Sequence, residues 1–190
     1  MKRLIILILT LIMLYAIALA DEPATTMIGA ANVPSIPAGT LSASLVSFTS
    51  NQTYPVYSAP DSKSVRGAKD RARVSTNGWI QVFGSEGDWI LVQYDITDTH
   101  NRIGYIKKDA LPDGAVVPEL NLTRMPAVVH YDVEVTDDPL VSRAKLCTVK
   151  AETDIFYLGS LNDDWAYVMV ETADGRWMCG FMPHEDISNG

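Results

Sequence analysis

Trp165, Val168, Gly180, Met182 and Ile187 stand seventy-six residues after Trp89, Val92, Gly104, Ile106 and Leu111. A chain that keeps Trp on Trp, Val on Val and Gly on Gly across 23 positions, with an aromatic on an aromatic at Tyr105 and Phe181, carries one folding unit twice. Each unit has only about 70 residues from which to build an apolar interior, which is marginal for a lone domain. Contact between the two units is therefore expected to contribute to stability.

Ahead of the repeat the chain reads as an address. Lys2 and Arg3 precede an apolar run over residues 4–20, broken only by Thr10, which closes on Ala18-Leu19-Ala20 before Asp21. This is the pattern of a signal peptide cleaved after residue 20. At seventeen residues the run is also near the short limit of a membrane-spanning helix, so an uncleaved N-terminal anchor is the alternative. Residues 21–40 are poor in charge, rich in Ala, Pro, Thr and Gly and without period, which predicts a flexible leader. Asp113-Gly114 between Pro112 and Pro118 marks a linker over 112–123. The two units then occupy 41–111 and 124–190.

Within each unit the signals are those of short strands. Apolar and alternating segments at 80–83, 89–94 and 102–106 have counterparts at 155–158, 165–170 and 177–182. Turn-forming residues separate them: Asn77-Gly78, Gly84 to Asp88, Gly159 to Asp164 and Asp174-Gly175. No helical period follows the leader. About five antiparallel strands in ~65 residues predict an all-β fold of two small five-stranded barrels in tandem.

Strand alternation sorts the side chains. Ile90, Val92 and Tyr94, with Ala166, Val168 and Val170, share one parity and are assigned to the interiors. Trp89, Leu91, Trp165 and Tyr167 take the other parity, and in the next strand Tyr105 and Phe181 join them, beside Ile103 and Cys179. Aromatics from neighbouring strands on one outer side are the material of a shallow groove, with Tyr57, Trp89, Tyr105, Tyr131, Trp165, Tyr167 and Phe181 as its candidate lining.

The formal charge of −8 argues against nucleic acid as a partner. It is unevenly shared: residues 41–117 carry eight basic and eight acidic side chains, residues 121–190 five and twelve. The second unit thus favours a neutral or cationic ligand. The first has a basic stretch, Lys63, Arg66, Lys69, Arg71 and Arg73, which reads either as a solvated loop or as an anion-contacting edge. Asp137-Asp138, and Asn162 with Asp163-Asp164, lack the alternating oxygen ligands of a calcium loop and are assigned to turns.

Gly78-Trp-Ile-Gln-Val-Phe-Gly84, Asp88-Trp89 and Ile103-Gly-Tyr-Ile106, with Tyr157-Leu-Gly159, Asp164-Trp165-Ala-Tyr-Val168 and Cys179-Gly-Phe-Met182, are similar to the bacterial SH3-type domain. The chain resembles a tandem, exported pair of such domains, with the likeness covering 41–111 and 124–187. The resemblance implies five-stranded SH3-like barrels that act as recognition modules, often for peptidoglycan or its peptides. Eukaryotic relatives of the fold read proline-rich peptides with a Trp, a Pro and a Tyr. Trp165 and Pro183 match here, but Asp186 and, in the first unit, Lys107 do not.

Catalysis is not expected. Only Cys147 and Cys179 could serve as thiol nucleophiles, neither has a recognisable nucleophile context, and the repeat leaves no span for a catalytic domain. Outside the cell the two cysteines either form a disulfide or remain as two small buried thiols. Two sulfurs are too few for a metal site, and no cofactor or metal is expected. The expectation is a monomeric, noncatalytic protein, secreted or wall-associated and free of the membrane after cleavage, whose partner is cell-wall peptidoglycan or a wall-associated protein.

Overall fold

The computed structural model describes residues 38–48, 51–77, 79–139, 145–161 and 164–189. The signal segment, the leader up to residue 37, Gly78, Asn162 and Asp163 lie outside the described residues. In the first half, β1 (Ser44–Ser47), β2 (Thr53–Pro55), β3 (Arg73–Ser75), β4 (Trp79–Glu86), β5 (Trp89–Thr97) and β6 (His100–Lys107) follow one another. They give a sheet of order β1-β4-β5-β6 and a separate β2-β3 ribbon. The second half holds β7 (Met125–Val129), β8 (Val133–Thr136), β9 (Lys145–Val149), β10 (Asp154–Leu161), β11 (Trp165–Glu171), β12 (Trp177–Pro183) and β13 (Ile187–Asn189), in the order β13-β7-β10-β11-β12-β8-β9. The protein is all-β, its sheets antiparallel, with short helical turns at Gly67–Asp70, Lys108–Ala110 and His184–Asp186.

No sheet among the described residues closes on itself, where closed barrels were expected. The point that would seal each half is a single pairing: Tyr57 with Tyr105 in the first, Thr136 with Phe181 in the second. These pairings also explain the repeated glycines. A Cβ on Gly104 would stand 2.6 Å from Val56 Cγ1 and 2.8 Å from the carbonyl oxygen of Tyr57; on Gly180 it would meet Val135 Cγ1 at 2.5 Å and the Thr136 oxygen at 2.8 Å. Val135 follows Val56 by seventy-nine residues, so the duplication extends upstream at a slightly longer spacing and takes in Pro60 and Pro139.

The central hairpins are built alike. Gln81, Gln93 and Ile103 stand in one cross-strand row of β4-β5-β6, as Phe156, Met169 and Cys179 do in β10-β11-β12. A bulge interrupts the row after Val82 in one copy and after Tyr157 in the other.

Three apolar clusters follow from the strand alternation. Ile90, Val92, Tyr94 and Ile106 belong to one inside the first half. Ala166, Val168, Val170 and Met182 belong to another inside the second, which Val65 of the first half also touches. The third lies between the halves. Trp89, Leu91, Ile103 and Tyr105 pack there against Leu158, Tyr167, Cys179 and Phe181. The parity assigned to the interiors is matched, and the opposite parity is turned onto the other copy of the same unit. Each half covers an apolar sheet face that its own few strands cannot cover.

The segments leading into the two halves are exchanged across this seam. Residues 39–41, which precede β1, hydrogen-bond to β10: Leu41 N donates to the Ser160 oxygen at 3.0 Å and Ser160 N to the Gly39 oxygen at 2.7 Å. Residues 118–120, which lead toward β7, repeat the pattern on β4: Leu120 N donates to the Ser85 oxygen and Ser85 N to the Pro118 oxygen, both at 2.8 Å. The end of the expected leader, residues 38–40, is thus part of the fold, as is the C-terminal part of the expected linker.

Candidate functional site

Six of the seven aromatics expected to line a groove meet at the seam. Tyr105, Tyr167 and Phe181 are buried at its centre, the last two with ring centroids 4.9 Å apart. Trp165 packs on the same cluster, partly buried. Trp89, also buried, lies edge-on to Tyr57 at 5.3 Å; the Lys107 ammonium covers the Trp89 ring at 3.9 Å and the Arg66 guanidinium covers Tyr57 at 5.2 Å. Each of these two rings already has a cation of its own chain. Tyr131 stands apart, 69% exposed beside His130.

The basic stretch divides in the same way. The Arg66 side chain donates to the carbonyl oxygens of Val56 and Ala72, so it braces its loop. Lys63, Lys69, Arg71 and Arg73 are exposed. Around them Ala68, Lys69 and Asp70 adopt left-handed φ of 54°, 56° and 61°, held in part by the Arg66 amide donating to Asp70 Oδ1 at 3.1 Å.

Asp137 and Asp138 are not exposed turn residues. Both are buried at the seam, where Arg102 Nε donates to Asp137 Oδ2 at 2.6 Å and the amide of Asn101 donates to Asp138 Oδ2 at 3.1 Å. The Ile103 amide donates to the Asp137 carbonyl oxygen at 2.8 Å. Burial pushes the Asp137 carboxyl above the ordinary carboxylate range despite the attraction of Arg102. The two cysteines are separate free thiols. Cys179 lies in the seam and Cys147 packs on the second-half interior, so the disulfide alternative is not realised. Burial raises the Cys179 thiol to about 12 and the Cys147 thiol to about 11.

Beside the seam, among the described residues, two concavities share Trp177. One is a cleft of about 150 Å³ between the halves, bounded by Pro60, Asp61, Met169 and Trp177. Its polar end holds Glu86, which is ion-paired with Arg124 and accepts a hydrogen bond from the Tyr105 hydroxyl at 3.1 Å. The other, about 460 Å³, lies on the face of β7, β10, β11 and β12 that the first half leaves uncovered. Pro126, Asp154, Phe156, Glu171 and Trp177 line it, the two rings 6.3 Å apart and tilted by 52°. Asp154 stands opposite Val128, Phe156 opposite Pro126 and Glu171 opposite Trp177, so the strand register puts them on one side. The sequence places Phe156 and Trp177 only within strand segments. Their signal is parity: both share the face of Tyr167 and Phe181, one and two rungs along from that pair.

No known protein family and no curated protein matches the chain. Among solved structures, NlpC2 from Trichomonas vaginalis is similar with a TM-score of 0.33 and 14% identity, over 79% of this chain and 49% of that one. NlpC1 from the same organism is similar with a TM-score of 0.29 and 12% identity, over 79% and 47%. The chain spans about half the length of each. Likenesses this distant say nothing of activity.

Proposed function

We infer that the protein is a noncatalytic, secreted recognition module, two open SH3-like units packed face to face, that binds peptidoglycan or its peptides at the cell wall. The observation that carries this reading is the open end of the second sheet, where Phe156 and a 40% exposed Trp177 share a groove with the carboxylates of Asp154 and Glu171. Exposed aromatic faces next to charged groups suit stacking on sugar rings or peptide side chains, with the charge setting the partner. The matching register of the two central hairpins and the equivalent roles of Gly104 and Gly180 support the SH3-like reading of each half. The mature protein is expected to be pulled from solution by isolated wall sacculi, and retention no greater than that of a denatured control removes the wall reading.

The second reading is an extracellular protein-binding or accessory protein that touches no glycan. It is favoured by the seam, where the same kind of aromatic face packs against protein. A stoichiometric protein captured from the secreted fraction, together with bare sacculi, selects it.

A further inference from the structure

The duplication supplies an internal comparison for the open face. In the first half the rows at this end of the sheet read Gln81, Gln93 and then Asp95, Asn101; in the second the same register positions read Phe156, Met169 and then Glu171, Trp177. One copy has the polar residues that an exposed sheet end favours. The other puts two rings and a thioether there, and burial does not account for Trp177, which remains 40% exposed. The two ends also differ in what they meet in the neighbouring half. The first copy's end is engaged by Asp137 and Asp138, while Trp177 borders only the seam cleft and the groove.

Charge narrows the ligand. Elsewhere in the second half Asp132, Glu134 and Asp174 have Lys150, Lys145 and Arg176 as ion-pair partners, while Glu152, Glu185 and Asp186 have none among the described residues. Asp154 and Glu171, on the groove, have no ion-pair or side-chain hydrogen-bond partner among the described residues. Trp89 and Tyr57 in the first half lie under Lys107 and Arg66, but among the described residues no cation covers Phe156 or Trp177. An aromatic pair beside two carboxylates attracts a cation through both the ring faces and the charges.

We propose that the groove between Phe156 and Trp177 is a subsite for a primary alkylammonium group, the side-chain amine of a diamino acid in a wall stem peptide. The ammonium lies against the Trp177 ring between Asp154 and Glu171, and its alkyl chain runs over Phe156 and Pro126. This rests on the wall-binding reading for the source of the amine, while the ammonium chemistry stands on the groove alone.

The full mature chain is titrated with a soluble stem peptide carrying one free lysine side chain, and with the same peptide acetylated at Nε. The free-amine peptide is expected to bind about tenfold more tightly than the acetylated one, and Trp177→Ala to remove that difference. The thermal transition of the variant stays near the parent value, and Gln81→Ala, at the first copy's counterpart of Phe156, changes nothing. Equal binding of the two peptides, or no binding by the folded protein, overturns the subsite. So does binding of a lysine-rich polypeptide alone, which selects a basic protein partner. Sacculi with free and with acetylated amines separate the two claims. Retention that ignores acetylation leaves the wall reading and removes the subsite; amine-dependent peptide binding with no sacculus retention does the reverse.

Discussion

Asp137 and Arg102 hold the two halves together through a buried charge pair, and their electrostatics make that joint sensitive to pH. Burial raises the folded-state pKa of Asp137, so the folded protein binds this proton more tightly than the unfolded chain does. Between the ordinary carboxylate value and the raised one, this group's contribution to stability falls as pH rises. Arg102→Met leaves the carboxylate buried without a counter-ion, and the expected loss at pH 7 is roughly 3–5 kcal/mol. Below the ordinary carboxylate range Asp137 is protonated in both states, and the deficit shrinks toward the lost packing and the lost hydrogen bond that Arg102 Nη1 donates to the Tyr94 hydroxyl at 3.4 Å. Urea titrations at pH 3 and pH 7 measure the difference; an equal deficit at both would assign the loss to packing. In the sequence Asp137-Asp138 looked like turn chemistry, because a partner thirty-five residues upstream leaves no local trace.

The exchanged leading segments depend on glycine at one point of close approach. A Cβ on Gly159 would lie 2.5 Å from the Gly39 carbonyl oxygen and 3.0 Å from its Cα, so Gly159→Ala pushes the segment before β1 off β10. A loss of about 1–3 kcal/mol is expected, the usual range for overpacking. Hydrogen exchange locates it: the amides of Leu41 and Ser160 lose protection while those of β11 and β12 keep theirs. A uniform loss of protection would show that the segment is not separable from the sheet. The long hairpin strands β4–β6 and β10–β12 were legible from alternation and flanking turns. The short strands β1–β3, β7–β9 and β13 were not, since three to five residues hold too little pattern and owe their pairing to partners distant in sequence.

The seam makes the two copies one cooperative body. Phe181 is fully buried at the shared cluster, and Phe181→Ala is expected to cost about 3–5 kcal/mol and to lower one common transition for both halves. Two separated transitions in calorimetry would show that each copy holds its structure alone. The duplication, the strand periods and the two parities of side chains are local properties, because a pleated strand sends successive residues to opposite sides wherever it lies. They were enough to identify an all-β repeat and the set of aromatics that share a face. What stands over that face is a matter of how the sheets are placed. Tyr105, Tyr167 and Phe181 are buried, Phe156 is partly buried at the edge of the seam and Trp177 is left exposed, because one half covers only part of the other's sheet. Where that cover ends depends on contacts between residues far apart in the chain, which no periodicity records.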